Sequence, residues 1–174
     1  MVRFAPLVRP SGAVLDVACG SGRHARHFLS RGHEVVAVDI DLSKVADLEV
    51  SDRVELVEAD LERDPWPFAG TRFDAVVVTN YLHRPLLDRL VQSVAPKGLL
   101  IYETYAHGNE RWGRPGNPDF LLRPGELLEA VRGRLRVIAY EDVTVTEPRP
   151  AAVQRICAAA PPGTEKRTSP RDVD

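Results

Sequence analysis

Val14-Leu15-Asp16-Val17-Ala18-Cys19-Gly20-Ser21-Gly22-Arg23-His24-Ala25, answered downstream by Val35-Val36-Ala37-Val38-Asp39, decides how this chain folds. An apolar run with β-branched residues leads into two glycines one residue apart. A helix-like segment comes next, then a second apolar run that ends in a carboxylate. Strand, glycine turn, helix, strand and acid make a βαβ unit that holds a nucleotide-like ligand at the carboxyl ends of its strands. Hydride transfer and methyl transfer both use that layout, so the rest of the chain has to separate them.

Outward from this unit, residues 14–19 read as a strand and 22–31 as a helix with Phe28 and Leu29 on its apolar face and Gly32 at its C-terminal cap. A second strand is expected over 34–40, a short helix or turn over 42–48, and a third strand over 54–59, ending at Asp60. Pro65-Trp66-Pro67-Phe68-Ala69-Gly70 breaks regular structure. A fourth strand over 73–78, a helix over 85–94, a turn at Pro96-Lys97-Gly98 and a fifth strand over 99–103 follow. Residues 106–123 form a long Gly/Pro/Asn-rich loop, a length that in a compact domain signals function or disorder. A last helix over 124–131 precedes strands over 135–140 and 153–158. Near-continuous apolar strands alternating with helices imply a doubly wound α/β fold. The expected sheet is mostly parallel, seven-stranded and Rossmann-like, with an antiparallel final strand. Residues 1–160 are read as one domain and the polar, Pro-rich 161–174 as a disordered tail.

A chain of 174 residues can bury a core without staples, and 44% hydrophobic with 28% charged residues is ordinary for a globular protein. The formal charge of -2 offers no footprint for a phosphate backbone, so nucleic acid is not favoured as a substrate. Cys19 and Cys157 lie far apart and form no CxxC pair, which fits a reduced compartment. Neither a signal-peptide core nor an apolar run of membrane-spanning length is seen, so the cytoplasm is the expected location, with no membrane partner. His24 and His27 share a helix face, but nothing in sequence completes a ligand set, and no metal is expected.

Gly20-Ser21-Gly22-Arg23-His24-Ala25 formally satisfies the dinucleotide pattern G-x-G-x-x-G/A, with Asp39 near the expected distance downstream. Two acids argue against a dinucleotide. Asp16 puts a carboxylate in strand one, which repels a pyrophosphate and attracts an ammonium or sulfonium. Asp60, with Leu61 behind it, ends strand three with an acceptor and an apolar wall suited to an adenine amino group.

Leu15-Asp16-Val17-Ala18-Cys19-Gly20-Ser21-Gly22, Asp39, Glu58-Ala59-Asp60-Leu61, Phe73-Asp74-Ala75-Val76 and Gly98-Leu99-Leu100-Ile101 together resemble the ordered motifs of class I S-adenosylmethionine-dependent methyltransferases. Small bacterial methyltransferases of the tellurite-resistance type are also similar. The resemblance covers about residues 11–160 and implies S-adenosyl-L-methionine as cofactor and direct methyl transfer to an unidentified nucleophile, expected to be a small molecule. It places Asp16, Gly20 and Gly22 around the methionine end and Asp39 at the ribose, with Ala18 and Ile40 among the cofactor-binding residues. Asp60 falls at the adenine amino group, Leu61 on the ring and Asn80 at the methyl-donor end. An NAD(P)-dependent oxidoreductase and a non-catalytic S-adenosylmethionine-binding domain are the alternatives.

The acceptor belongs beyond strands four and five. Tyr81, His83 and Glu103 are the catalytic candidates there, with His83 the best titratable base and Glu103 a base or an ammonium contact. His107, Asn109, Glu110, Arg111, Trp112, Arg114 and Asn117 join them from the long loop, read as a lid around Trp112. Asn117-Pro118-Asp119-Phe120 is similar to the Asn-Pro-Pro-aromatic motif of adenine-amino methyltransferases, but it follows the wrong strand and carries an acid third. With only about 13 residues before strand one, cover for the site is expected from that loop, from a second subunit in a homodimer, or from a large substrate.

Overall fold

In the computed structural model, which describes residues 2–163, the apolar runs become seven strands. They are β1 (Ala13–Val17), β2 (Glu34–Asp39), β3 (Val54–Glu58), β4 (Phe73–Thr79), β5 (Val94–Tyr105), β6 (Arg136–Val145) and β7 (Ala151–Ala159). Three α-helices accompany them: α1 (Arg23–Ser30), α2 (Leu87–Gln92) and α3 (Glu126–Val131). The strands form one sheet in the order β3-β2-β1-β4-β5-β7-β6. β1 to β5 pair in parallel, and β7 lies antiparallel between β5 and β6. The expected seven-stranded sheet with an antiparallel final strand is therefore present.

Both faces of this sheet are covered, which is why its central strands are near-continuously apolar rather than apolar at alternate positions. Leu15, Val17, Val76, Val78, Tyr102 and Ile156 pack with Leu90 of α2 and Leu127 of α3 on one face. Val14, Ala37, Ala75, Val77, Ile101 and Cys157 pack on the other with Phe28 of α1 and Phe4 of the N-terminal 3-10 turn. Each fully buried aliphatic side chain contributes about 2 kcal/mol. Asp74, at the start of β4, ties down the N-terminal segment by accepting from Ala13 N (2.9 Å) and Arg9 Nε (2.5 Å).

The chain runs from β1 out to β3 and then returns to β4 on the other side of β1. The sheet thus has a switch point between β1 and β4, where the βα connections diverge and leave a crevice. Several sequence expectations shift in detail. Pro96-Lys97-Gly98 is an irregularity inside a longer β5 rather than a turn before it. A Cβ on Gly98 would stand 2.8 Å from the Ala95 carbonyl and 2.9 Å from that of Phe73, so the backbones approach too closely for any side chain. The helix expected over 85–94 shortens to a 3-10 turn (Arg84–Leu86) followed by α2. The helix or turn of 42–48 is a 3-10 turn at Ala46–Val50. Of the tail 161–174, all beyond Gly163 lies outside the described residues.

Candidate functional site

The site grows out of the exits of β1 and β4. Ala18 (φ 51°) and Asn80 (φ 55°) both leave their strands in the left-handed region. That conformation disfavours a Cβ by about 1 kcal/mol, and observed strain of this kind clusters where ligands bind. Gly22 (φ 69°) has a second reason to be glycine, because a Cβ there would lie 2.6 Å from Val45 Cγ1. Gly20 (φ 54°) has open space around the same point. The first glycine answers backbone geometry alone, the second also packing.

Two cavities meet at Ala18. The acidic cavity, ≈ 440 Å³, is lined by Asp39, Ile40, Asp60, Leu61, Glu62 and Tyr81, among others. The turn cavity, ≈ 400 Å³, is lined by Gly20, Ser21, Arg23, His24, Thr79 and Asn80, with Cys19 at its floor. Asp39, Ile40, Asp60, Leu61, Gly20, Asn80 and Ala18 are thus brought to the switch point, as expected. A larger cavity, ≈ 570 Å³, lies by Lys97, Arg134 and Ala159 at the opposite end of the sheet. The carboxyl ends of the parallel strands do not open into it.

Asp39 Oδ2 accepts from Gly20 N at 2.8 Å, and Oδ1 from Asp41 N at 3.2 Å. Each oxygen keeps a lone pair for a ligand. Asp60 Oδ1 accepts from Glu62 N (3.0 Å), which fixes its carboxylate at the exit of β3. Ile40 is 63% exposed, a large apolar side chain left bare at the mouth of a polar cavity.

Asp16, expected to border the methionine end of the cofactor, is a buried group. It is 1% exposed, lines neither cavity, and accepts from Ala25 N at 2.9 Å in the first turn of α1. Burial pushes its carboxyl up to about 7, against the pull of the Ala25 amide and Arg23. Asp16 holds the helix on the glycine turn. Gly22, buried under Val45, does the same from the other side.

Tyr81, expected among the catalytic groups, lines the acidic cavity instead. Its hydroxyl is buried with no hydrogen-bond partner among the described residues, and burial beside Glu62 and Asp60 pushes the phenol up to about 12. It stays protonated and has a donor to give. Tyr102 Oη, inside the core, donates to the Tyr81 carbonyl (2.8 Å) and so fixes where that ring begins.

Glu103 sits opposite Thr79 in the β4–β5 register, one strand from the turn cavity. Its carboxylate accepts from Arg155 Nε, and Arg155 also reaches Glu141 at 3.2 Å. His83 is half-buried and lines none of these cavities. The long loop is tied at both ends: Leu122 N donates to the Tyr105 carbonyl and His107 N to that of Leu122, each at 2.9 Å. Trp112 is 42% exposed at its tip.

Arg23, His24, Ser21 and Thr79 escaped sequence reasoning as site residues. Arg23 opens α1 directly after the glycine turn, and Thr79 is the residue before Asn80, so both were within one position of a residue already named. His24 Nδ1 lies 3.4 Å from Thr79 Oγ1, and burial lowers it to about 4, so it is neutral near pH 7. Burial pushes the Cys19 thiol up to about 12, which leaves it a thiol and no nucleophile. Among the described residues no group of three or more His, Cys, Asp or Glu is arranged for a metal ion, and no helix is long and apolar enough to cross a membrane.

Comparison with known proteins adds three findings. The family described as "Methyltransferase domain" matches residues 14–98, from β1 to the irregularity in β5. The chain is 32% identical over 126 residues to the ubiquinone/menaquinone biosynthesis C-methyltransferase UbiE of Ectopseudomonas mendocina (strain ymp), covering 64% of this chain and 46% of that protein. It therefore spans about half the length of the curated relatives it matches. Among solved structures, TehB from Haemophilus influenzae superposes with a TM-score of 0.69 at 16% identity, covering 91% of this chain and 61% of that one. Burkholderia thailandensis 1,6-didemethyltoxoflavin-N1-methyltransferase, with S-adenosylhomocysteine bound, gives 0.66 at 22% identity, covering 91% and 74%. The [4+2]-cyclase SpnF gives 0.64 at 18% identity, covering 93% and 81%. At such identities these structures establish the fold alone, and the cyclase among them is a reminder that activity resides in the site.

Proposed function

We propose that the chain is a class I S-adenosylmethionine-dependent methyltransferase, which binds S-adenosyl-L-methionine at the switch point and directs its methyl group to a small-molecule acceptor. The observation that carries the reading is the state of the backbone donors around the glycine turn. A pyrophosphate needs free N–H groups on the turn and at the start of α1. Here Gly20 N is engaged by Asp39 and Ala25 N by Asp16. Two of the amides that a pyrophosphate would draw on are thus already engaged by carboxylates. The same arrangement suits a neutral nucleoside joined to a cationic amino-acid end.

The two cavities fit such a ligand in their chemistry. Asp39 accepts from the ribose hydroxyls through its remaining lone pairs, and Asp60 accepts from an adenine amino group between the apolar walls of Leu61 and Ile40. Tyr81, whose hydroxyl lacks a partner, donates into the same cavity. Across Ala18, Arg23 faces the carboxylate of the methionine end, and neutral His24 and Thr79 line its path without adding positive charge. When bound, S-adenosylmethionine supplies a methyl group made electrophilic by sulfonium. The protein's share is alignment of the acceptor and exclusion of water.

Of the groups expected to handle a proton, Glu103 holds the better position, opposite Thr79 with Arg155 keeping its carboxylate in place. Neither it nor His83 lines either of the two cavities, and on its register position we assign Glu103 the acceptor-side polar contact. Residues 1–160 constitute the catalytic domain in this reading. Buried, unpaired Cys19 and Cys157 agree with a cytoplasmic site of action.

Equilibrium titration with S-adenosylhomocysteine tests the proposal through Asp39→Ala. Loss of a charged acceptor for two hydroxyls weakens binding by about 2 kcal/mol, roughly thirtyfold. Unchanged affinity would remove Asp39 from the ribose and the reading with it.

A further inference from the structure

Beyond the two cavities of the switch point, a third cavity on the carboxyl-end side of the sheet, ≈ 500 Å³, opens at the end of β5, lined by Tyr105, Arg114, Pro115, Asn117, Phe120 and Arg149. Its lining holds two guanidinium groups and no carboxylate. Some arginines elsewhere are paired, Arg84 with Glu126, Arg134 with Asp88 and Arg155 with Glu103, while others such as Arg23 and Arg89 make no ion pair among the described residues. Neither Arg114 nor Arg149 makes an ion pair among the described residues. Arg149 Nη2 donates only to the Tyr105 hydroxyl, at 2.8 Å, which brings that guanidinium beside an aromatic ring.

The position of this cavity ties it to the reaction. Glu103, opposite Thr79, and Tyr105 are two residues apart on β5, so they face the same side of the sheet. Tyr105 stands about 7 Å further along the strand. The third cavity therefore opens on the sheet face that carries the turn cavity, past its acceptor-side edge.

Its walls are fixed before any ligand arrives. Asn109, 1% exposed, donates from Nδ2 to the Pro115 carbonyl (2.9 Å) and accepts at Oδ1 from Ala152 N (3.3 Å). One buried amide thus joins the loop wall to the start of β7. Arg84 secures the other wall by donating to the carbonyls of Asp119 (2.7 Å) and Leu121 (2.8 Å). Phe120 remains 50% exposed beside the cavity despite this anchoring. A bare aromatic ring, a phenol and two unpaired guanidinium groups on a preorganised frame have a complementary ligand: a flat ring that carries an oxyanion. Planar guanidinium forks match carboxylate and phosphate oxygens bidentately, and prior ordering of the walls lowers the cost of binding.

We propose that Arg114 and Arg149, with Tyr105 and Phe120, form the acceptor-recognition site, and that the methyl acceptor is an aromatic or heterocyclic molecule bearing a carboxylate or phosphate. The role in methyl transfer rests on the methyltransferase reading above. The oxyanion site itself stands on this cavity alone.

The test is a titration of the full chain with phenyl phosphate, benzoate and benzyl alcohol, followed through the arginine Nε–Hε resonances. In parallel, calorimetry with S-adenosylhomocysteine is run on the wild type, Arg114→Gln and Arg149→Gln. The two anions perturb the Arg114 and Arg149 signals and the neutral alcohol does not, and the tighter anion identifies the acceptor's charged group. Each substitution weakens anion binding about tenfold or more and leaves S-adenosylhomocysteine affinity unchanged, which also shows that the variants fold. If benzyl alcohol binds as well as the anions, or the substitutions leave anion affinity intact, the oxyanion site is overturned while the cofactor reading stands. Anion binding at these arginines in a chain with no affinity for S-adenosylhomocysteine supports the site and overturns its role in methyl transfer.

Discussion

The glycine-turn half of the site and the acceptor half are built by opposite means. Around β1, α1 and β2 every determinant is local: Gly20 N meets Asp39, Ala25 N meets Asp16, and Gly22 admits Val45, all inside about thirty residues. At the end of β5 the determinants come from remote parts of the chain. Arg149 reaches Tyr105 across 44 positions, and Asn109 reaches Ala152 across 43. A local site is shaped by backbone conformation and fails when a glycine is changed. A remote site is shaped by side-chain tethers and fails when a tether is cut. The consequences differ in size and in what is lost.

The sharpest way to break this comparison is to damage each half in turn. Gly22→Ala adds a Cβ into Val45 at a left-handed φ, and about 3 kcal/mol of stability is expected to disappear. S-adenosylhomocysteine binding goes with it, because the turn is displaced. Asn109→Ala leaves the Pro115 carbonyl and Ala152 N without their partner and costs about 2 kcal/mol, with cofactor affinity retained and anion binding by Arg114 weakened. Urea unfolding and calorimetry on the two variants check both. Equal loss of cofactor binding in the two would show that the halves are one unit.

A smaller effect sharpens the account of Asp16. The native carboxyl holds its proton to about pH 7, whereas an unfolded aspartate releases it near the ordinary 3.8. Between those values the native state binds more protons than the unfolded one, so this group's contribution is full at low pH and is lost as pH rises through 7. Asp16→Asn keeps an acceptor for Ala25 N and does not titrate. Urea midpoints taken at about pH 5 and about pH 8 should show the wild type losing stability relative to the variant over that interval. Parallel curves would mean that the carboxylate is not desolvated.

How much could be read in advance follows the same division. The succession of strands, the glycine turn and the acids Asp39 and Asp60 are legible because near-continuous apolar runs, helical spacing and paired glycines are local marks in the sequence. The placement of Asp16 was harder to read. Its charge is visible in the sequence, but that Ala25 N already occupies it is a tertiary fact. Tyr81 carries no spacing that says which of two cavities it enters; its place in the acidic cavity is a tertiary fact. Pro96-Lys97-Gly98 has the composition of a turn, yet the closeness of the Phe73 carbonyl makes it an irregularity within one long strand. Of the two arginines of the third cavity, Arg114 stood among the loop candidates but Arg149 gave no signal, since their meeting depends on how the β6–β7 hairpin returns to β5.

Carboxylates engage two amides of the glycine turn and of α1, Gly20 N and Ala25 N, and the pocket beside them is proposed to take an S-adenosyl amino acid rather than a pyrophosphate. Calorimetric titration of the wild-type chain with S-adenosylhomocysteine and, separately, with NAD tests it most directly. Saturable binding of S-adenosylhomocysteine, one per chain, with no heat from NAD is the predicted result. Saturable binding of NAD with none of S-adenosylhomocysteine would contradict it.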